Sequence, residues 1–219
     1  MVFKNRIEAG QKLAAELAKY AHEKKLLILA LPRGGVPVAY EVAAALKAPL
    51  DVFVVRKLGV PGQEELAMGA IASGGVRVLN EEIIQHLGIF EDVIARVAAR
   101  EQQELERREF TYREGRPLPE ISGKTVILID DGLATGATMR AAVTALKAKR
   151  PHKLIVAVPT AAPDTCASIQ KLVDRMVCLI TPMPFGGVGA WYEDFSQTTD
   201  QEVQELLNQA QGHVAETSQ

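Results

Sequence analysis

The feature that most constrains the fold is an uninterrupted apolar and β-branched run, residues 125–129 (TVILI), which ends in two adjacent acids. Runs of this kind are typical of strands that are buried on both faces, as in parallel sheets. Asp130 and Asp131 follow directly, although burying a carboxylate without a partner is costly. Because ligands of open α/β sheets bind outside the carboxyl ends of the strands, the acid pair indicates a ligand site.

The rest of the chain alternates between helical and extended patterns, which predicts an α/β fold with a mostly parallel, twisted sheet flanked by helices. No repeat or low-complexity linker interrupts it, so residues 1–219 are interpreted as one domain with a core at about 25–180. A hairpin is expected at 67–79, with its turn at residues 73–75, and a mobile loop at 59–65. The predicted helices are 5–24, 37–46, 91–113, 136–149, 163–171 and 200–211, and the predicted strands are 26–31, 51–55, 125–129, 153–158 and 175–180.

Composition excludes several classes of protein. The 219 residues are 47% hydrophobic and 24% charged, with a net charge of -2. The sequence therefore has no excess of basic residues that would indicate binding to nucleic acid. No apolar run reaches the roughly 18 residues of a membrane span, and the N-terminus has no apolar signal region. Cys166 and Cys178 are too few for a disulfide framework, and the four histidines lack zinc-ligand spacing. We therefore expect a reduced, cytoplasmic protein in which only carboxylates could bind a metal.

The residues after the acid pair are small or carry hydroxyl groups, and they open a predicted helix. Small side chains let the backbone approach a phosphate closely, and the free N–H groups and the helix dipole then bind it. The alternative is an ordinary helix cap with a glycine turn. The residues concerned are Ala134, Thr135, Gly136, Ala137 and Thr138.

Residues 126–138 (VILIDDGLATGAT) resemble the phosphoribosyl pyrophosphate (PRPP) motif of type I phosphoribosyltransferases, and the element order over about 25–180 fits that family as well. The resemblance implies that Asp130 and Asp131 are catalytic residues that bind the ribose hydroxyls and, through Mg-PRPP, a magnesium ion. It implies that residues 134–138 cradle the 5'-phosphate. The chain also resembles an uncharacterised subgroup of the family with a Trp-Tyr-x-Asp-Phe tail.

Two further segments agree with this resemblance. The family places its pyrophosphate loop after the first strand, here Arg33, Gly34 and Gly35, where an arginine fork and backbone N–H groups are available. The alternative is a plain strand-to-helix turn.

Basic residues after the second strand often contact pyrophosphate in this family, at the base of a flexible loop. Arg56 and Lys57 have this position, and Lys57 is taken as a third catalytic residue. Residues 59–65 would be the loop that closes over the site. The alternative for the two basic residues is a solvated strand end.

The family binds its acceptor with a variable hood built from terminal segments, for which residues 182–195 are the candidate here. A loose match to the purine salvage enzymes suggests that Phe185, Val188, Trp191 and Asp194 contact a base, because aromatic rings stack on bases. These side chains could equally fill the core or a dimer interface. Because Ala134 stands where some members of the family have an acid, no general acid or base is assigned.

The expected activity is therefore magnesium-dependent transfer of the phosphoribosyl group from PRPP to a nitrogenous base, and the expected acceptor is purine-like. The alternative is a regulatory protein that binds PRPP or a nucleotide without turnover. Small-molecule substrates, a homodimer, and no nucleic-acid or membrane partner complete the expectation.

Overall fold

A computed structural model describes residues 1–216, with side chains described to residue 212. Five parallel strands form the main sheet in the order β2-β1-β6-β7-β8, and β3, β4 and β5 form a small antiparallel sheet. This confirms the predicted fold class. The strands are β1 (Leu26–Ala30), β2 (Leu50–Val52), β3 (Val55–Val60), β4 (Gln63–Ala72), β5 (Val76–Leu79), β6 (Thr125–Ile129), β7 (Lys153–Thr160) and β8 (Arg175–Ile180). The helices are α1 (Arg6–Leu17), α2 (Gly35–Leu46), α3 (Glu81–Leu87), α4 (Glu91–Arg113), α5 (Ala137–Ala148), α6 (Pro163–Gln170) and α7 (Asp200–Glu216), with 3-10 turns at Ala18–Tyr20 and Val188–Trp191.

β6 lies at the centre of the main sheet, and all five of its residues are buried. Alternate residues of the sheet point into two separate cores, as strand geometry requires. Ile127 packs in the core that includes residues of α1 and α2, whereas Leu128 packs in the core that includes residues of α5. Burial on both faces explains why the sequence of this strand is apolar without alternation.

The chain leaves the main sheet one residue after β2, so the single strand predicted at 51–55 is in fact two. The Phe53 N–H still donates to the Ala30 carbonyl of β1 at 2.8 Å. The Val54 N–H donates instead to the buried Ser73 hydroxyl at 2.8 Å, in the turn between β4 and β5. Ser73 therefore marks the point where the chain passes from the parallel sheet to the antiparallel one.

The prediction of a mobile loop at 59–65 is wrong, because most of this segment is hydrogen-bonded strand. β3 continues to Val60 and β4 begins at Gln63, so only Pro61 and Gly62 form the turn, in which Gly62 has φ +78°. Gly and Pro suggested a loop, but they mark a tight hairpin. The second hairpin, predicted at 67–79, is confirmed as β4 and β5.

Helix α3 was not predicted. The Asn80 side chain caps it by accepting a hydrogen bond from the Ile83 N–H at 3.3 Å, and Gly88 follows it at φ +60°. None of its seven residues is buried, so the apolar periodicity that reveals longer helices is weak here. By contrast, α4 has the predicted bounds of 91–113.

The state of the two cysteines differs from the expectation. Cys166 in α6 and Cys178 in β8 are joined in a disulfide, whereas reduced thiols were expected. α6 leads into β8, so the fold places these residues side by side. Over residues 1–216, the structure contains no helix with the length and hydrophobicity needed to cross a membrane.

Candidate functional site

The acid pair and the glycine loop after β1 meet at the carboxyl edge of the main sheet. Since β1 and β6 are adjacent and parallel, the segments that follow them are neighbours. A side chain on Gly34 would overlap the Asp131 carboxylate, and a Cβ on Gly35 would lie 2.8 Å from the Ile129 carbonyl oxygen. Glycine is therefore required at both positions for this close approach.

The two acids lie side by side in a partly buried setting. Burial raises the pKa of Asp130 well above its usual range, and the charge of Asp131 raises it further. Burial also raises the pKa of Asp131, although Arg6 opposes that shift. Asp130 accepts a hydrogen bond from the Asp131 N–H at 2.9 Å. A bound cation, or hydroxyl groups that donate hydrogen bonds, would stabilise the ionised forms of both acids.

Arg6, at the start of α1, is a site residue that the sequence did not reveal. Its Nε and Nη2 lie 2.9 and 2.8 Å from Asp131 Oδ2. Its Nη1 donates to the Ser196 carbonyl at 2.7 Å, and its guanidinium lies 4.0 Å from the ring centre of Phe195. No local motif surrounds Arg6, and 125 residues separate it from Asp131, so sequence patterns offered no signal for this contact.

Tyr192 is the second site residue that was missed. Its hydroxyl donates to the backbone carbonyl of Asp131 at 2.6 Å, and its ring packs 5.5 Å from Phe3 and 5.1 Å from Phe195. Burial and the nearby carboxylate of Asp131 raise its pKa, so it remains a donor at neutral pH. The Phe3 N–H donates to the Trp191 carbonyl at 2.9 Å. Both terminal segments of the domain therefore meet beside the acid pair.

The small-residue loop is fixed from outside through its carbonyl oxygens. Arg140 donates to the Thr135 carbonyl at 2.7 Å, and Thr165 donates to the Ala134 carbonyl at 2.6 Å. Gly136 has φ +71°, which favours glycine, and α5 begins at the next residue. Because both bonds use carbonyl oxygens, they hold the loop without consuming its N–H groups. The geometry is that of a helix N-terminus open to an anion.

The three predicted pyrophosphate-binding cations have different surroundings. Arg33 Nη1 lies 3.8 Å from Asp200 Oδ1 at the start of α7. Lys57 Nζ lies 3.3 Å from Glu65 Oε2, and its side chain is 43% exposed. Arg56 donates two hydrogen bonds, of 3.0 and 2.7 Å, to Glu101 in α4. Since successive strand residues face opposite ways, Lys57 faces a cavity and Arg56 faces the helix.

Two cavities border these residues. One of about 730 Å³ separates the antiparallel sheet from α5, and its walls include Lys57, Thr138 and Arg140. A second of about 360 Å³ lies where the terminal segments face the acid pair. It is lined by Arg6, Arg33, Gly34, Asp131, Phe195, Gln197 and Thr198.

The four predicted base contacts are spread along the segment that follows β8. Val188 reaches the loop after the acids, because a Cβ on Gly132 would lie 2.5 Å from its Cγ1. Trp191 donates from its indole N–H to the Phe185 carbonyl at 2.8 Å, which ties this segment to itself. Asp194 is exposed and accepts a hydrogen bond from the Ser196 N–H, which lowers its pKa. Phe195, which was not among the predicted base contacts, is the aromatic residue in the wall of the smaller cavity.

The parallel sheet, the acid pair at the end of β6 and the small-residue loop that opens α5 are the arrangement expected of the phosphoribosyltransferase class. In agreement, the family model of the phosphoribosyl transferase domain matches residues 3–194, and the chain belongs to this family.

Its relatives include both curated proteins and a solved structure. Proteins of Mycobacterium tuberculosis strains CDC 1551 and H37Rv, named provisionally as phosphoribosyl transferases, are each 46% identical over 217 residues, or 98% of this chain. The chain spans about half the length of these curated relatives, 48%. The crystal structure of TT1426 from Thermus thermophilus superposes with a TM-score of 0.85 at 40% identity, covering 95% of this chain and 99% of that one.

Proposed function

We propose that this domain transfers the 5-phosphoribosyl group of PRPP to a nitrogenous base and releases pyrophosphate, with magnesium as the cofactor. The observation that supports this most is the junction of three features at one sheet edge. These are the acid pair Asp130 and Asp131, the glycine loop at 34–35 and the open start of α5. A sugar that carries phosphate groups at both ends would contact all three features.

The donor set fits magnesium bound together with its substrate. Within the described residues, no group of three or more His, Cys, Asp or Glu side chains could hold a metal by itself. Mg²⁺ commonly binds through one or two carboxylates and substrate phosphates. Asp130 and Asp131 would supply the carboxylates, and the ion would neutralise charge on the departing pyrophosphate.

The side chains of the domain mainly bind and orient. The two acids accept hydrogen bonds from the ribose hydroxyls, while the N–H groups at the start of α5 hold the 5'-phosphate. Arg33 and Lys57 stabilise the charge that develops on pyrophosphate. The C1–O bond breaks, and its electron pair leaves with pyrophosphate. The acceptor nitrogen then forms the C1–N bond with inversion, through an oxocarbenium-like state, and its proton passes to solvent.

The acceptor would enter through the smaller cavity, which borders both Asp131 and the terminal segments. Phe195 is 38% exposed there and offers a ring on which a planar base could stack. We retain a purine as the first candidate. Phe185, Val188, Trp191 and Asp194 remain predicted contacts, and Val188 is the one that touches the loop after the acids.

A second candidate is a regulatory protein that binds PRPP without turnover. Two observations favour it. Ala134 leaves the phosphate loop without a proton-handling side chain, and Arg6 already binds the carboxylate of Asp131. Such a protein would keep the ribose and phosphate contacts but would have no acceptor.

Turnover separates the two candidates. The protein is incubated with Mg²⁺ and PRPP, purine and pyrimidine bases are added one at a time, and pyrophosphate release is measured. Transfer predicts release that depends on one base or a small group of bases. Binding of PRPP without release for any base would reject transfer and support the regulatory candidate.

A further inference from the structure

Asp200 lies where three elements of the fold meet: the glycine loop after β1, the end of α4 and the start of α7. The buried Tyr112 of α4 donates a hydrogen bond from its hydroxyl to Asp200 Oδ1 at 2.8 Å. Arg33 Nη1 lies 3.8 Å from the same oxygen. One carboxylate oxygen therefore links the predicted pyrophosphate-binding arginine to both α4 and α7.

The position of Asp200 is fixed from two directions. Thr199 and Glu202 form a capping box at the start of α7. The Thr199 hydroxyl accepts from the Glu202 N–H at 3.1 Å, and the Thr199 N–H donates to Glu202 Oε2 at 2.9 Å. From the other side, burial and the bond to Asp200 raise the pKa of Tyr112 to about 12, so its hydroxyl donates at neutral pH.

The contact between Arg33 and Asp200 is a charge pair between partly exposed side chains and leaves the guanidinium donors unsaturated. A distance of 3.8 Å is too long for a hydrogen bond. The attraction is therefore between charges, and it leaves the N–H donors of the guanidinium for a ligand. Because an arginine side chain loses many rotamers when it is immobilised, a fixed counter-charge lowers the entropy lost when an anion binds.

We propose that Asp200 and Tyr112 are positioning residues that hold Arg33 ready for the pyrophosphate group of PRPP. This inference rests on the proposed function. It adds that α4 and α7 set the affinity of the site for pyrophosphate while leaving its affinity for the ribose 5-phosphate part unchanged.

The test compares three ligands in the presence of Mg²⁺: PRPP, inorganic pyrophosphate and ribose 5-phosphate. Their affinities are measured by calorimetry for the natural protein, Asp200→Asn and Tyr112→Phe. Gln204→Ala is the matched control, because Gln204 of α7 donates to the Thr111 carbonyl of α4 at 2.7 Å without contacting Arg33. Both site variants should bind PRPP and pyrophosphate on the order of fivefold more weakly, with ribose 5-phosphate binding unchanged. The control should bind all three ligands normally.

Equal weakening for all three ligands, or the same loss in Gln204→Ala, would show that α7 merely supports the fold and would overturn the inference. Unchanged or tighter pyrophosphate binding in Tyr112→Phe would also overturn it, even if Asp200→Asn does not fold. If either result is found while the natural protein binds PRPP normally, only the inference about Asp200 and Tyr112 is rejected and the proposed function still stands. If the natural protein binds neither PRPP nor pyrophosphate, the proposed function and this inference are both rejected.

Discussion

Two largely buried arginine–carboxylate pairs in this domain have similar geometry and different surroundings. Arg113, the last residue of α4, lies 2.9 Å from Asp51 in β2, with side chains 4% and 19% exposed. Arg6, the first residue of α1, lies 2.8 Å from Asp131 after β6, with side chains 11% and 14% exposed. In both, a helix end supplies a cation to a carboxylate at the main sheet.

The pairs differ in what surrounds them. Arg113 also donates to the Val52 carbonyl at 2.6 Å and to Glu109 at 2.7 Å, so its donors are satisfied in three directions within the protein. Beside the Arg6 pair lies Asp130, a partly buried acid whose pKa is raised by desolvation and by the charge of Asp131. The first pair forms a closed structural network, whereas the second retains an acid that a ligand can use.

Breaking the closed pair should have the largest effect on stability. Arg113→Gln leaves Asp51 and Glu109 without their cation and should lower the free energy of unfolding by about 3–5 kcal/mol. Arg96→Gln is the matched control on the same helix. Its pair with Asp92 is exposed, at 74% and 70%, and should contribute about 0.5 kcal/mol or less. Urea unfolding measures both variants, and equal losses would contradict the assignment of the Arg113 pair to structure.

The same contrast recurs in two adjacent residues of β3. Arg56→Met removes two hydrogen bonds to the nearly buried Glu101 and should cost about 1.5–3 kcal/mol of stability. Lys57→Met should leave stability nearly unchanged and weaken pyrophosphate binding about tenfold, because the Lys57 ammonium group faces the larger cavity. Thermal unfolding and calorimetry with Mg-pyrophosphate measure the two effects. If Arg56→Met weakens binding and Lys57→Met does not, the two roles are reversed.

The dependence of stability on pH should be a smaller effect. Because the folded-state pKa of Asp130 is raised, the folded protein holds its proton more tightly than the unfolded chain does. Stability is therefore lost as pH rises from the ordinary aspartate value of about 4 through the raised pKa. Asp130→Asn removes this loss, and its oxygen can still accept the Asp131 N–H.

Free energies of unfolding are measured for this variant in metal-free buffer between pH 4 and 8. The variant should gain stability over the natural protein as pH rises. A difference that stays constant with pH would show that Asp130 is not strained when ionised.

Local sequence predicted the features that local physics determines. The apolar run of β6 and its acid pair indicated both the parallel sheet and the site, and charged pairs with an apolar stripe located α4. Arg6 and Tyr192 could not be predicted in this way, because their roles depend on contacts with Asp131 across 125 and 61 residues. The hairpin turn at Pro61 was misassigned because pairing between strands, rather than residue type, decides whether such a segment is a loop.

The most direct test of the proposed PRPP site is a calorimetric titration of PRPP with Mg²⁺ into the natural protein and into the double variant Asp130→Asn/Asp131→Asn. The natural protein should bind PRPP with micromolar affinity. The double variant should bind at least about 100-fold more weakly, because two charge-assisted contacts to the ribose hydroxyls are lost. Near-natural affinity in the double variant would contradict the assignment of the PRPP site to the strand-end acids.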